Sequence, residues 1–319
     1  MTLISLPMHK VIVTCPPMIG LFDEFKDYGN YLNLDLYPAE VNQTLSEEEL
    51  RNIIPEFDGW IVGDDPASKT VLRAGKDGNL KSIVKWGIGI DNIDQEACSN
   101  FDLDFANTPG MFGSEVADIA LSYLISLARS TFFIDREVRE GNWPKPTGIS
   151  LRDKNVALVG YGDIGRKTAK RLIACEMNVI AYDPFAKVIP QKNLVFSKWP
   201  KRLNECDFII INCSLNESTF HLIKEEIFKH LKFGVKIINV ARGSIINEND
   251  LIKALDKGLV ESVALDVFER EPLSTYSKLR SFEKCIFGSH NSSNTREAVL
   301  KTSFKSIEII SNFLMKRNK

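Results

Sequence analysis

Asn155-Val-Ala-Leu-Val-Gly-Tyr-Gly-Asp-Ile-Gly-Arg-Lys-Thr-Ala-Lys-Arg-Leu172 runs from an apolar strand through a glycine turn into the start of a helix, and it lies at mid-chain. Gly160 permits the tight turn, Gly162 lets a pyrophosphate approach bare backbone, and Gly165 lets the helix pack on the strand. Asp163 and Ile164 open the helix, whose N-terminal amides face the anion. Eighteen residues past Gly165, the apolar strand Val179-Ile-Ala-Tyr ends at Asp183. A carboxylate there accepts hydrogen bonds from both ribose hydroxyls and repels a 2′-phosphate. A glycine motif alone is a weak signal, whereas one framed by two strands with an acid at this spacing points to a dinucleotide.

A chain of 319 residues exceeds what one hydrophobic core usually serves, so two domains are expected. A net charge of −2 and a pI near 6.2 provide no basic field for nucleic acid or anionic lipid. Partners are therefore expected to be small molecules or further copies of the chain, with no nucleic acid and no membrane. The cysteines at 15, 98, 175, 206, 213 and 285 lack CxxC or Cys/His metal spacing, and several fall inside apolar runs. They read as reduced, buried thiols in a cytoplasmic protein, and no metal site is expected. Only a short apolar stretch precedes Lys10, so neither a signal peptide nor a membrane span is expected.

From the start, short apolar strands at Val11-Ile-Val, Leu34 to Tyr37, Trp60-Ile-Val and Ile83-Val84 alternate with helix-like segments such as Ser46 to Ile53. This is a parallel βα pattern. Ser46 and Glu49 have capping-box spacing. Residues Ser114 to Arg129 predict a strongly apolar helix, suited to burial between domains or subunits. A second series of strands follows at Val156-Ala-Leu-Val, Val179-Ile-Ala-Tyr, Phe208-Ile-Ile-Ile, Ile237-Ile-Asn-Val, Val263-Ala-Leu-Asp and Cys285-Ile-Phe. Their unbroken apolar character fits a parallel sheet buried on both faces. Thr295 to Leu314 predicts one amphipathic helix able to return to the first domain.

Three polar residues sit just after strands of the second series or in the loop that follows, where open α/β sheets place their ligands. Arg242 precedes Gly243, a position from which a guanidinium forks onto a carboxylate. Glu271 lies in Asp-Val-Phe-Glu-Arg-Glu-Pro, and His290 follows Cys285-Ile-Phe-Gly-Ser. A Glu beside a His stabilises imidazolium and makes an acid able to protonate a ketone near neutral pH. Singly, each also reads as a surface cation, a loop acid or a structural histidine. His9, His221 and His230 are assigned no role. In the first series, Lys85-Trp-Gly-Ile-Gly-Ile-Asp-Asn-Ile-Asp94 ends a strand in a turn whose amides at Gly87, Ile88 and Gly89 suit an anion such as a carboxylate. The same run also reads as a plain strand-to-helix turn with Asp91 or Asn92 as cap.

Together these segments resemble the D-isomer-specific 2-hydroxyacid dehydrogenases, of the phosphoglycerate dehydrogenase type. Lys85 to Asp94, Asn107-Thr-Pro-Gly110, Val159 to Gly165, Asn239-Val-Ala-Arg-Gly243, Ala264 to Pro272, and His290 with Thr295-Arg-Glu-Ala298 occur in the family's order. The resemblance implies an α/β fold of two doubly wound parallel-sheet domains. A Rossmann NAD-binding domain, 105–289, is expected to be inserted in a flavodoxin-like substrate domain made of 1–104 and 290–319. It also implies closure of the domains over the substrate and a homodimer formed through the NAD-binding domain.

Carried over by residue, the resemblance makes Arg242 the holder of the substrate carboxylate, His290 the acid/base and Glu271 its partner. Asp266 becomes the neighbour of the nicotinamide amide, while Lys85 and Gly87 to Gly89 become substrate contacts. The activity implied is reversible hydride transfer between NAD and a D-2-hydroxy acid/2-keto acid pair. Reduction of glyoxylate or hydroxypyruvate, and phosphoglycerate oxidation, are variants of it. A different class is an NAD(H)-sensing protein resembling the corepressors that share this fold.

The chain departs from the family's pattern in several places. Asn212-Cys213-Ser214 stands where His-x-Pro is common, which implies altered dinucleotide affinity. Ser289, Asn291 and Ser292 flank His290 and make a polar pocket wall. Trp60-Ile-Val-Gly-Asp-Asp65 lacks the arginine expected for a substrate phosphate and places two carboxylates there, with Lys69 or Lys85 to compensate. No regulatory domain is expected after the last helix.

Overall fold

A computed structural model describes residues 8–187 and 190–317. The expectation that no signal peptide opens the chain falls on residues 1–7, outside the described residues. The chain divides into two compact units, Met1–Met111 with Asn294–Lys319, and Phe112–Ser293.

The first unit holds a parallel sheet of β1 (His9–Val13), β2 (Leu34–Pro38), β3 (Gly59–Val62), β4 (Ser82–Lys85) and β5 (Asp104–Asn107). Their order is β2-β1-β3-β4-β5, the flavodoxin-like winding. β3 and β4 are buried along their whole length. On one face Trp60, Leu50, Ile54, Leu72 and Ile83 form a core. The helix Glu47–Ile53 starts with a complete capping box, since the Ser46 side chain accepts from Glu49 N–H and Glu49 reaches back to Ser46 N–H.

The C-terminal helix Arg296–Arg317 belongs to this unit. Ile310 packs on the bare Cα of Gly59, where an added Cβ would lie 2.7 Å from it. Arg317 donates to Asp104 at 2.6 Å and to Asp102 at 3.0 Å. The predicted amphipathicity is only partly apolar, because the buried face carries Thr302, Ser303, Ser306 and Ser311. Two of these hydroxyls tie the helix down: Ser303 accepts from the Trp86 indole at 3.0 Å, and Ser311 donates to Leu32 C=O at 3.2 Å.

The second unit holds a seven-stranded parallel sheet of β6 (Asn155–Val159), β7 (Asn178–Tyr182), β8 (Leu194–Phe196), β9 (Phe208–Ile211), β10 (Val235–Asn239), β11 (Val260–Leu265) and β12 (Ile286–Phe287). Its order is β12-β11-β10-β9-β6-β7-β8. Counted from β6, this is the doubly wound Rossmann order, with the topological switch between β6 and β9. β9 and β10 are buried at every position, as expected for a sheet covered on both faces.

The helix Gly113–Arg129 buries Val116, Ala117, Ala120, Tyr123, Leu124 and Leu127 within this unit. Arg171 of the helix Asp163–Ala174 donates to its Asp118 at 2.6 Å. Among the described residues no single helix is long and apolar enough to cross a membrane. Gly113–Arg129 passes that test only when joined to Thr131–Arg139 across a 68° bend.

Two boundaries differ from those expected. β5 continues to Asn107, pairing with β4 from Asp104 onward, so the first unit extends past residue 104 to 111. His290 stays with the second unit rather than opening the C-terminal segment, because its N–H donates to Asp266 C=O at 2.7 Å.

Candidate active site

In the second unit, the turn between β6 and the helix Asp163–Ala174 shows why its glycines are there. Gly160 has φ +93, and a Cβ on it would lie 2.6 Å from Cys213 N. A Cβ on Gly165 would lie 2.2 Å from Gly160 O, so helix and strand could not close. Gly162 differs from both. It has φ −71, and among the described residues, its chain neighbours aside, no atom lies within 4 Å of the place its Cβ would take. Nothing in the fold demands a glycine there. The space left open over a helix N-terminus is the space a pyrophosphate needs, so the residues fit a dinucleotide.

Asp183 leaves β7 with both carboxylate oxygens engaged, one accepting from Tyr161 N–H and the other from Phe185 N–H, each at 2.8 Å. The acid is thereby fixed beside the glycine turn with lone pairs remaining for further donors. Asp163, at the first helical position, turns toward Lys167 at 3.4 Å and packs on Gly113. Asn212 donates to Thr168 Oγ1 at 3.2 Å, while its buried Oδ1 is one of the side-chain oxygens without a partner among the described residues.

Arg242, Glu271, His290 and Asp266 also belong to the second unit, on the loops after β10, β11 and β12. Asn239 shapes the first loop: its Oδ1 accepts from Ala241 N–H at 3.0 Å and its Nδ2 donates to Arg242 C=O at 2.9 Å. Gly243 then meets the β11 loop so closely that a Cβ on it would fall 1.8 Å from Phe268 C. The Arg242 and Glu271 loops are thus held against each other. Glu271 divides its two oxygens. Oε1 accepts from Phe268 N–H at 2.9 Å, and Oε2 pairs with His290 Nδ1 at 2.7 Å.

Neither ring nor carboxylate of that pair is more than about a quarter exposed, at 22% and 24%. His290 adopts φ +56, a strained conformation for a non-glycine residue. Asp266 sustains it. Besides taking His290 N–H on its carbonyl, it accepts Asn291 N–H at 3.2 Å, Ser292 N–H at 2.9 Å and the Ser292 hydroxyl at 2.5 Å on its carboxylate. Tyr123 adds a long fourth bond at 3.5 Å. Burial and the adjoining Asp266 raise the Tyr123 phenol, so it stays a donor. Asp266, expected beside the nicotinamide amide, therefore has its carboxylate occupied in securing the histidine loop.

The first-unit residues also differ from their sequence reading. The Lys85 ammonium is buried, donating to Gly63 C=O and, at 2.8 Å, to Asp64. It braces the β3 loop. Gly87 N–H already donates to Thr108 Oγ1 at 2.9 Å, which shifts the anion-binding reading to the amides of Ile88 and Gly89. The cap of the helix Gln95–Asn100 is Asp94, not Asp91 or Asn92. Asn92 donates instead to Gly63 and Asp65 carbonyls.

A family model described as "D-isomer specific 2-hydroxyacid dehydrogenase, NAD binding domain" matches residues 121–292. The chain belongs to the D-isomer-specific 2-hydroxyacid dehydrogenases. It is accordingly an NAD-dependent oxidoreductase acting on 2-hydroxy acids. A hydroxypyruvate reductase of Thermotoga maritima is 35% identical over 274 residues, covering 84% of this chain and 89% of the relative. A D-3-phosphoglycerate dehydrogenase of Archaeoglobus fulgidus is 34% identical over 296 residues, covering 91% of this chain and 54% of the relative. The chain thus spans about half the length of that phosphoglycerate dehydrogenase. The crystal structure of the TT0316 protein from Thermus thermophilus superposes with a TM-score of 0.84 at 25% identity, covering 96% of this chain and 97% of that one.

In this dehydrogenase the residues that motif spacing missed are those that hold others in place: Tyr123, Asn239, Ser292, Thr108 and the acid Glu269. Asn239, Thr108 and Glu269 stand inside motifs of the family's pattern and Ser292 reads only as pocket wall, whereas Tyr123 carries no signal in the sequence.

Proposed function

We propose that this dehydrogenase reduces a short, unphosphorylated 2-keto acid such as hydroxypyruvate or glyoxylate to the D-2-hydroxy acid, with His290 as the proton donor. The observation that carries the reading is the 2.7 Å bond between His290 Nδ1 and Glu271 Oε2. A carboxylate on Nδ1 favours the doubly protonated ring, which leaves Nε2 a proton to give. Arg242 binds the substrate carboxylate through its planar fork and draws charge from the adjoining carbonyl. The amides of Ile88 and Gly89 in the first unit are proposed as an anion-binding pair. NADH, when bound over Gly160, Gly162, Asp163, Ile164 and Gly165 with its ribose on Asp183, supplies the hydride. As the carbonyl carbon becomes tetrahedral, His290 Nε2 passes its proton to the carbonyl oxygen. Glu271 stabilises the cation before transfer and orients the neutral ring after it. The reverse direction uses the neutral ring as base.

The β3 loop is itself ill suited to hold a phosphate. Asp64 is solvent-accessible, Asp65 is buried, and the neighbouring cation Lys85 is consumed by Gly63 and Asp64. Phosphoglycerate dehydrogenase activity remains the second reading, favoured by the identity to the Archaeoglobus enzyme. Two further proposals concern the setting. A homodimer would use the face of the second unit where Ile125, Phe132 and Val138 stand exposed, and six free thiols suit the cytoplasm. The test is NADH oxidation against phosphohydroxypyruvate, hydroxypyruvate, glyoxylate and pyruvate, with NADPH in parallel. The proposal expects turnover of hydroxypyruvate or glyoxylate with NADH; a preference for phosphohydroxypyruvate would overturn it.

A further inference from the structure

We infer that His221 is a positioning residue, which locks the Glu271 loop to the Arg242 loop through Glu269 and Asn247. A second histidine–carboxylate pair lies beside the first: His221 Nε2 and Glu269 Oε1 are 2.7 Å apart, two residues before Glu271. The protonation of this ring follows from its neighbours. Asn247 caps the helix Glu248–Asp256 by accepting Asp250 N–H on Oδ1 at 3.0 Å, so its amide turns Nδ2–H toward His221 Nδ1 at 3.3 Å. Nδ1 is therefore an acceptor, and Nε2–H is the donor to Glu269.

Glu269 is clamped at a second point. Its N–H donates to Glu248 Oε1 at 2.7 Å, and its carboxylate accepts Glu248 N–H at 3.3 Å. Three acids, Glu248, Glu269 and Glu271, consequently crowd one short stretch. Burial raises the Glu248 carboxyl, the Glu269 N–H lowers it in part, and the charges of Glu269 and Glu271 raise it further. Left to themselves these carboxylates would push the β11 loop away from the helix start. His221 supplies a side-chain donor to the middle one, Glu269. Asp250, which also faces the ring, is neutralised by Lys253 at 2.9 Å.

The histidine is itself rigidly placed. It adopts φ +48, its N–H donates to Ser244 C=O at 2.8 Å, and Phe220 stacks on the ring with centroids 4.0 Å apart. Ser244 follows Arg242-Gly243 directly. One residue thereby joins the two segments, its backbone N–H holding the segment after Arg242 and its ring holding Asn247 and the segment that sets Glu271. His221 itself does not touch the reacting atoms.

The inference rests on the proposed roles of Arg242, Glu271 and His290, and full-chain kinetics with His221→Ala, His221→Gln and His290→Ala distinguish the two. His221→Ala removes the tether and is expected to lower kcat roughly tenfold to a hundredfold, as a loosened catalytic group does. NADH affinity should stay within about twofold, because the glycine turn lies on other strands. Gln keeps an N–H at the reach of Nε2, so His221→Gln should recover most of kcat and the wild-type pH profile. Wild-type kcat in His221→Ala overturns the inference. So does an equal loss in Ala and Gln with a lowered melting temperature, which marks a merely structural role. Turnover retained by His290→Ala would instead remove the proposed function, whatever His221 does.

Discussion

Gly162→Ala separates a glycine kept for a ligand from one kept for the fold. Gly162 is extended, with φ −71 and ψ −150, and its missing Cβ faces no atom within 4 Å among the described residues beyond its chain neighbours. Alanine fits that backbone, so the substitution should stabilise the apoprotein by about 0.4–1 kcal/mol through the unfolded chain. In a chain this long that raises the melting temperature by roughly 1–4 °C. The new methyl occupies the space over the helix N-terminus and keeps a phosphate from the backbone amides. Losing one hydrogen bond to a charged group costs about 1.5–3 kcal/mol, or roughly tenfold to 150-fold in the NADH dissociation constant. Gly165→Ala is the control, since its Cβ would stand 2.2 Å from Gly160 O and must lower the melting temperature. Thermal unfolding of the apoprotein and titration of NADH fluorescence read both effects. Unchanged NADH affinity in Gly162→Ala, or a destabilised apoprotein, would refute the reasoning.

Three other outcomes follow from the same geometry. Asp183→Asn keeps an acceptor for Tyr161 N–H but removes the charge that repels a 2′-phosphate, so relative use of NADPH should rise in paired cofactor assays. Glu271→Gln keeps the Phe268 bond while removing the carboxylate from His290. Loss of a charge-assisted bond of about 1.5–3 kcal/mol predicts a fall in kcat of roughly tenfold or more, seen in steady-state kinetics with NADH binding intact. Burial pushes the Cys206 and Cys213 thiols up to about 12, and Cys98 and Cys285 up to about 11. A raised thiol favours the folded state fully below the unfolded thiol's pKa of about 8.5. That contribution is lost as pH climbs toward 11–12, by about 1.4 kcal/mol per pH unit for each thiol. Denaturant midpoints should fall above pH of about 8.5, and thiol alkylation should track unfolding.

Period and glycine chemistry made the two sheets legible before any coordinates. Unbroken apolar runs such as Phe208-Ile-Ile-Ile are strands because a parallel sheet covered on both faces leaves no polar side. The residues proposed for catalysis stand out in the sequence for a related reason, since strand exits are where open sheets expose polar groups. What escaped was the facing of side chains. Lys85 looked like a cation offered to substrate, yet its position on a fully buried strand turns it inward to Gly63 and Asp64. The pattern around Asp266 likewise does not reveal that its carboxylate accepts from Asn291 and Ser292 N–H. His221 is silent in the sequence because neither its left-handed backbone nor its meeting with Glu269, 48 residues on, leaves a local pattern. Long-range pairings of this kind depend on register and loop course, which spacing does not encode.

The most direct test of the account compares wild-type protein with His290→Ala in NADH-dependent reduction of hydroxypyruvate and glyoxylate, with NADH affinity measured on the same samples. With His290 as proton donor, the wild type turns over and the variant loses roughly a hundredfold to ten-thousandfold in rate at unchanged NADH affinity. Equal turnover by both proteins would contradict it.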